Sequence, residues 1–421
     1  MTKVKGLDSG GKQGADATDN LQAIMAKMDP NTEILHISGD VPTNNQWEAL
    51  GQYFTKIRFL KVATGWEEDW RDEKFPLHWP VELLVIADAV GERITTPAIM
   101  EGRVKHLVLF FTAGLRFEGP RTKELMKDAE MLDFIPHKKK QPQAEQPEGA
   151  TTQAEGGPPD GTSPPTKETP PKPKPDGVKV FSVPHEWHKW VYDKYADKDI
   201  TFPPSPDGAP PSTHSEMKHL QILGNDALQM LSYLALAKFH LLSSLSTLTI
   251  HSQGASDLLH VPPNIPLMLL PSLANLKTFK LTLGSAMYAK LLAVTNDNNE
   301  PFLHVFFPPN IETLHFRGPV SMAAHLDAFA DAFGYHDEFL PGLKRMSLVL
   351  DLPDKSSAFP REPSLAQLRE ANGACRRVLD AAAARGVVVE EGFEEPWVEE
   401  HAGLFDGVDN RWAVLGSGLG S

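Results

Sequence analysis

Three groups of residues in this chain have the types and spacing to do chemistry. His185 and His188 form an H-x-x-H pair beside Glu186, and two imidazoles one helical turn apart can share a metal ion. The zincin spacing H-E-x-x-H is not met, because the second histidine falls one position early. No third ligand accompanies the pair, so we read two helical-surface histidines flanking an aromatic contact. Carboxylates crowd GWEEDW (Gly65 to Trp70) and the following RDEKFPLHW, where Glu67, Glu68, Asp69, Asp72 and Glu73 stand among Trp66, Trp70 and Trp79. Paired carboxylates do general acid and base work in glycosidases. Acids clustered in a polar loop, however, have no burial to drive their pKa values apart, so a hydrolase is only a remote alternative. GSGLGS (Gly416 to Ser421) has the composition of a phosphate loop but follows no complete strand, and reads as a frayed tail. G-x-S-x-G, a Walker loop and H-x-E with C-x-x-C are all missing from the sequence. The expectation is a non-enzyme with no catalytic, cofactor-binding or metal site.

Composition narrows the classes further. A formal net charge of -14 argues against general nucleic-acid affinity. Cys375 is the single cysteine, which excludes an intramolecular disulfide framework and a cysteine zinc cluster and fits a reducing compartment. MTKVKGLDSGGKQG has no apolar core of a secretory signal. The longest apolar stretch, Leu228 to Leu242, contains Lys238 and His240 and is too short to span a bilayer; it reads as a buried helix. These features predict an intracellular protein, cytoplasmic or nuclear, with no membrane, nucleic-acid or metal partner.

The elements that position any site come from a repeat. The form apolar-x-x-apolar-x-apolar recurs as TEILHI (Thr32 to Ile37, with Thr32 in the leading place), IRFLKV (Ile57 to Val62), VELLVI (Val81 to Ile86) and VKHLVL (Val104 to Leu109). It returns as MKHLQI (Met217 to Ile222), LSTLTI (Leu245 to Ile250), LKTFKL (Leu276 to Leu281), IETLHF (Ile311 to Phe316) and LKRMSL (Leu343 to Leu348). Self-similarity at a period of roughly 20 to 35 residues means one unit stacked many times. Alternation puts Leu248 and Ile250 on one face and Thr247 and Thr249 on the other. Parallel neighbours need crossovers, and the intervals supply helical patterns: Trp47, Leu50 and Phe54 with Asn44 or Asn45 as N-cap, then Leu326, Phe329 and Phe333 with Gly334 as C-cap. Ser364 caps a last helix carrying Leu365, Leu368, Cys375, Val378, Leu379 and Ala382, with Gly386 after it, and VVVEE (Val387 to Glu391) makes a tenth strand.

Strand plus helix per repeat, together with MKHLQILGN (Met217 to Asn225), resembles the divergent leucine-rich repeat family common in filamentous fungi, many of whose members follow an F-box. Other copies lack the asparagine: LSTLTIHSQ ends in Gln253 and IETLHFRGP in Pro319. The resemblance implies an α/β irregular leucine-rich repeat solenoid with a parallel strand stack and outer helices. Four segments are expected: the N-terminal half of the solenoid (1–135), a disordered Pro-rich insert (136–180), a partly ordered packing segment (181–215), and the C-terminal half with its capping helix and acidic tail (216–421). Residues 136–177 contain no aromatic or large aliphatic side chain and cannot offset their ordering entropy. Their P-x-x-P spacing at Thr169 to Pro175 would suit an SH3- or WW-type contact.

The predicted function is a protein–protein interaction scaffold that binds a protein partner through the exposed strand face. Candidate contacts are Phe59, Lys61, Val85, Val108 and Phe110 in the apolar first half, and Lys280, His315, Arg317 and Arg345 in the polar, basic second half. An open sheet would present the apolar set to solvent as an interaction patch, unless a segment such as Phe181 to Tyr195 folds over it. The alternative is a substrate-recognition adaptor of an SCF-type ubiquitin ligase. Only Asp19 to Pro30 precedes the first repeat as a helix, which is short for an F-box, so this reading ranks second.

Overall fold

The computed structural model describes residues 2–7, 21–39, 42–64, 74–87, 97–100, 102–110, 132–134, 179–181, 215–224, 226–237, 239–252, 257, 261, 264–295, 306–335, 339–354 and 362–390. All nine repeats become strands of one parallel sheet: β2 (Ile34–Gly39), β3 (Phe59–Thr64), β4 (Leu83–Ala87), β5 (His106–Phe110), β8 (His219–Gly224), β9 (Thr247–Ser252), β10 (Thr278–Leu283), β11 (Thr313–Pro319) and β12 (Arg345–Leu352). β1 (Thr2–Leu7) and β13 (Val388–Val389) extend it at either edge to eleven strands, ordered as in sequence. β5 pairs directly with β8, so both halves of the chain share one sheet across residues 111–218. Within that interval β6 (Leu132–Phe134) pairs in parallel with β7 (Lys179–Phe181), which brings the two ends of the proline-rich stretch together. The stretch itself, and the expected packing segment from residue 182 onward, lie outside the described residues.

The sheet register coincides with the repeat alignment. Leu35, Leu60, Leu84, Leu107, Leu220, Leu248, Phe279, Leu314 and Met346 are successive partners across the ladder, and so are Ile37, Val62, Ile86, Leu109, Ile222, Ile250, Leu281, Phe316 and Leu348. These two rows are buried in the main core. A one-residue slip in any strand would send both apolar residues to the opposite face, so burial fixes the register. The leading apolar residue of each repeat, as in Ile57, Val104, Leu245 and Ile311, enters the core just ahead of its strand.

Helices cover this core face. α1 (Asn44–Tyr53) buries Trp47 and Leu50; its cap is Thr43 rather than Asn44 or Asn45, in a capping box closed by Gln46. Asn44 instead accepts the Lys74 amide at 3.2 Å. Trp47 packs on Phe75 and Trp79, and the Trp79 indole N–H donates to the Phe54 carbonyl at 2.6 Å. α2 (Pro97–Met100) is a single turn. The second-half repeats carry α3 (Ala227–Ala237), α4 (Asn264–Leu269), α5 (Ser285–Thr295), α6 (Asp327–Tyr335) and α7 (Leu365–Ala384). Aromatic side chains cluster in this half of the core, with Phe307 touching Phe279, Phe306, Phe316 and Phe329. Gly334, expected to end α6, lies inside it.

Two buried groups tie neighbouring elements into this layer. The Asp257 carboxylate accepts from the Leu228 and Gln229 amides at 3.0 and 2.8 Å, capping the first turn of α3 from a remote loop, and the Ser252 hydroxyl donates to it. Burial nevertheless pushes Asp257 up to about 6, against the lowering effect of those donors. At the far end, the capping box of Ser364 and Gln367 starts α7, which packs along β12, and Gly386 turns the chain into β13 with φ +82°. Cys375 of α7 is hydrogen-bonded by the Leu350 backbone of β12, and burial pushes its thiol up to about 11. Leu365, expected on the apolar stripe, is exposed.

Candidate binding surface

The opposite sheet face carries the residues predicted to bind. His36, Lys61, Val85, Val108, Gln221, Thr249, Lys280, His315 and Ser347 form one row across it. This face is largely closed rather than open. Val85, Val108 and Phe110 are 3%, 0% and 4% exposed, and with Leu83, Ala87 and Leu223 they form a second apolar cluster against which Ile34, Phe59 and Ala63 pack. Parallel sheets are rarely stable with one face in water, and apolar side chains on both faces of β4 and β5 express that. His315 and Arg317 are buried as well; Phe59, Lys61 and Lys280 are half-buried, and Arg345 alone of the nine candidates is exposed.

Two of the three predicted cations of the polar second half are neutralised internally. Arg317 forms a two-pronged pair with Asp351, at 2.7 and 2.9 Å, and Arg345 pairs with Glu390. The expected basic surface is therefore offset by two acids outside the rows read from sequence. His315 Nδ1 lies 2.8 Å from Ser347 Oγ and 3.9 Å from Glu390 Oε2. Serine, histidine and carboxylate invite comparison with a hydrolase triad, in which hydroxyl and acid occupy opposite ring nitrogens. Here both face the same nitrogen, and Ser347 is fully buried. The cluster is a polar brace between β11, β12 and the chain after β13. Glu67, Glu68, Asp69, His185 and His188 lie outside the described residues. Among the described residues no group of three or more His, Cys, Asp or Glu could hold a metal ion, and no helix is long and apolar enough to cross a membrane.

The accessible feature is the rim where the strands begin. One residue precedes each repeat strand there: Glu33, Arg58, Glu82, Lys105, Lys218, Ser246, Lys277, Glu312 and Lys344, all exposed or half-exposed. Backbone bonds hold them in line, as when the Thr278 and Lys277 amides both donate to the Ser246 carbonyl. Arg58 bridges Glu33 at 3.2 Å and Glu82 at 2.9 Å, and Glu312 takes Lys277 at 3.2 Å and Lys344 at 2.6 Å. Glu82, then Glu33, hold the Arg58 guanidinium above its ordinary pKa; Lys344, then Lys277, hold Glu312 below its own. Sequence reasoning missed this row, though its signal was present. The second position of the repeat is charged in every copy but one, LSTLTI, and a charged position adjoining a buried one marks an edge in solvent. No protein-family profile, curated protein or solved structure matches the chain.

Proposed function

We propose that this protein is a non-catalytic interaction scaffold of the leucine-rich repeat type, intracellular, which engages a protein partner along the strand-entry rim. The observation that carries the reading is the nine-residue rim itself. A sheet with unbroken register presents one side chain per strand at a spacing of about 4.8 Å, and most of these side chains are charged. Such a row gives a partner a fixed sequence of charges, which supplies specificity and orientation more than raw affinity. The apolar face from Phe59 to Phe110 serves stability instead, because Val85, Val108 and Phe110 are buried.

The test is quantitative co-purification with the full chain. Lys277→Ala with Lys344→Ala alters the rim, and Arg369→Ala with Arg376→Ala alters the outer side of α7; all four residues are exposed, so both variants retain the fold. Stoichiometric partners lost only from the rim variant are the expected result. Partners lost only from the α7 variant, or unaffected by both, overturn the assignment.

A further inference from the structure

Along the rim, three of the five cations are compensated. Arg58 has two acidic partners, and Lys277 and Lys344 share Glu312. Lys105 and Lys218 are the exception: both are exposed, they stand on neighbouring strands, and neither forms an ion pair among the described residues. Beside them, the rings of His106 and His219 lie 5.3 Å apart at the mouth of the second face. Gln221 Nε2 sits 3.3 Å from His106 Nε2 and steadies that ring.

The grouping is built by the fold. Lys105 and Lys218 come from opposite sides of the long interruption and meet because β5 pairs with β8. The Lys218 and His219 amides both donate to the Lys105 carbonyl, at 2.8 and 3.1 Å, which fixes the two dipeptides side by side. The approach to β8 is set just upstream, where the Glu216 amide donates to Gly102 at 2.7 Å and Gly102 adopts φ +66° against Ser215.

We propose that this Lys105–His106–Lys218–His219 cradle receives one phosphoryl group on a partner's serine, threonine or tyrosine. This rests on the scaffold reading and names the chemistry of its partner. Two lysine charges match a dianion, which a phosphoryl group approaches at neutral pH, and lysine binds phosphate as a point charge. The patch is one strand spacing wide. It is bounded by Glu82, which Arg58 holds at 2.9 Å, and by uncharged Ser246. Glu216, exposed two residues ahead of Lys218, pairs with neither lysine. A single anionic group fits that width, whereas a nucleic-acid backbone or an anionic membrane would meet the acids of the rim and a chain of net charge -14.

The probe is the capped tripeptide Ala-phosphoserine-Ala, titrated into the full chain while the histidine ring resonances are followed by NMR. Unphosphorylated and aspartate tripeptides, and vesicles containing phosphoinositide, are run in parallel. The expected result is saturable shifting of His106 and His219 by the phosphopeptide, weakened at least tenfold by Lys105→Ala with Lys218→Ala and restored by the paired Lys→Arg variant. Equal response to the aspartate peptide, no response to the phosphopeptide, or lysine-dependent binding to vesicles alone overturns the proposal. Such a failure, with partners still lost from the Lys277 and Lys344 variant, leaves the scaffold reading standing; loss of that rim dependence overturns the scaffold reading instead.

Discussion

Asp257 gives the most quantitative prediction. Its carboxylate is sealed between α3 and β9, so its ionised form loses more by leaving water than it gains from three donors. The folded-state value of about 6 lies above the ordinary 3.8. The native state therefore binds the proton more tightly than the unfolded chain between those limits. Stability contributed by the protonated group is present in full below about pH 4 and is lost as pH rises through about 6. A difference of roughly two units corresponds to about 3 kcal/mol. Other carboxylates titrate in the same window, so the quantity to measure is the difference between wild type and Asp257→Asn. Asparagine shifts the whole curve, because its amide nitrogen cannot accept from the α3 amides, but it does not titrate. Urea unfolding at half-unit steps from pH 4 to 7.5 should show the stability of wild type relative to the variant falling by about 2.4 kcal/mol, nearly all of it below pH 6.5. Parallel curves would show that the three donors fully offset the burial of Asp257. A relative stability that rises with pH would show that the helix terminus and the three donors outweigh burial.

Three further outcomes follow from the packing. Val108→Asp places a charge at a fully buried position of the second face and should cost about 4 kcal/mol in urea unfolding; wild-type stability would show that this face is open. Gly102→Ala should destabilise by about 3 kcal/mol and Gly386→Ala by about 1, since both need positive φ but only Gly102 has Ser215 atoms 2.6 to 2.9 Å from a new Cβ; the reverse order in thermal melts would contradict the close approach. Cys375, buried and with its thiol pushed up to about 11, should resist iodoacetamide at pH 8 in the native state and react after unfolding in guanidinium; rapid native labelling would mean that α7 does not seal β12.

The strand stack was legible because one short pattern reports both burial and register. Aligning the repeats on Leu35, Leu60 and their counterparts reproduces the pairing of neighbouring strands, and the crossover helices follow from the apolar spacing between them. β1 was missed because Thr2–Leu7 lacks the pattern: Val4 pairs with Ile37, but lysines flank it. The second face was harder to read. Whether Val85 and Phe110 meet water depends on what lies over β4 and β5, and strand alternation describes a face without saying what covers it. The basic reading of Arg317 and Arg345 failed for a related reason. Asp351 lies two residues beyond Val349 on the same side of β12, so it reaches Arg317 diagonally, and Glu390 arrives only after the last helix. Cross-strand neighbours decide net charge, and a row taken along one offset omits the diagonals. The rim charges, by contrast, occupy one fixed place in the motif and could have been read at once.

The most direct measurement of the central claim is a photo-crosslinking scan in the native cell. Benzoylphenylalanine replaces Lys218, Lys277 or Lys344 on the rim and, as the comparison, Arg376 or Asp380 on the outer side of α7, all exposed positions. A recognition rim predicts that the same protein partner is captured from two or more rim positions and from neither α7 position. Capture from α7 with none from the rim would contradict it.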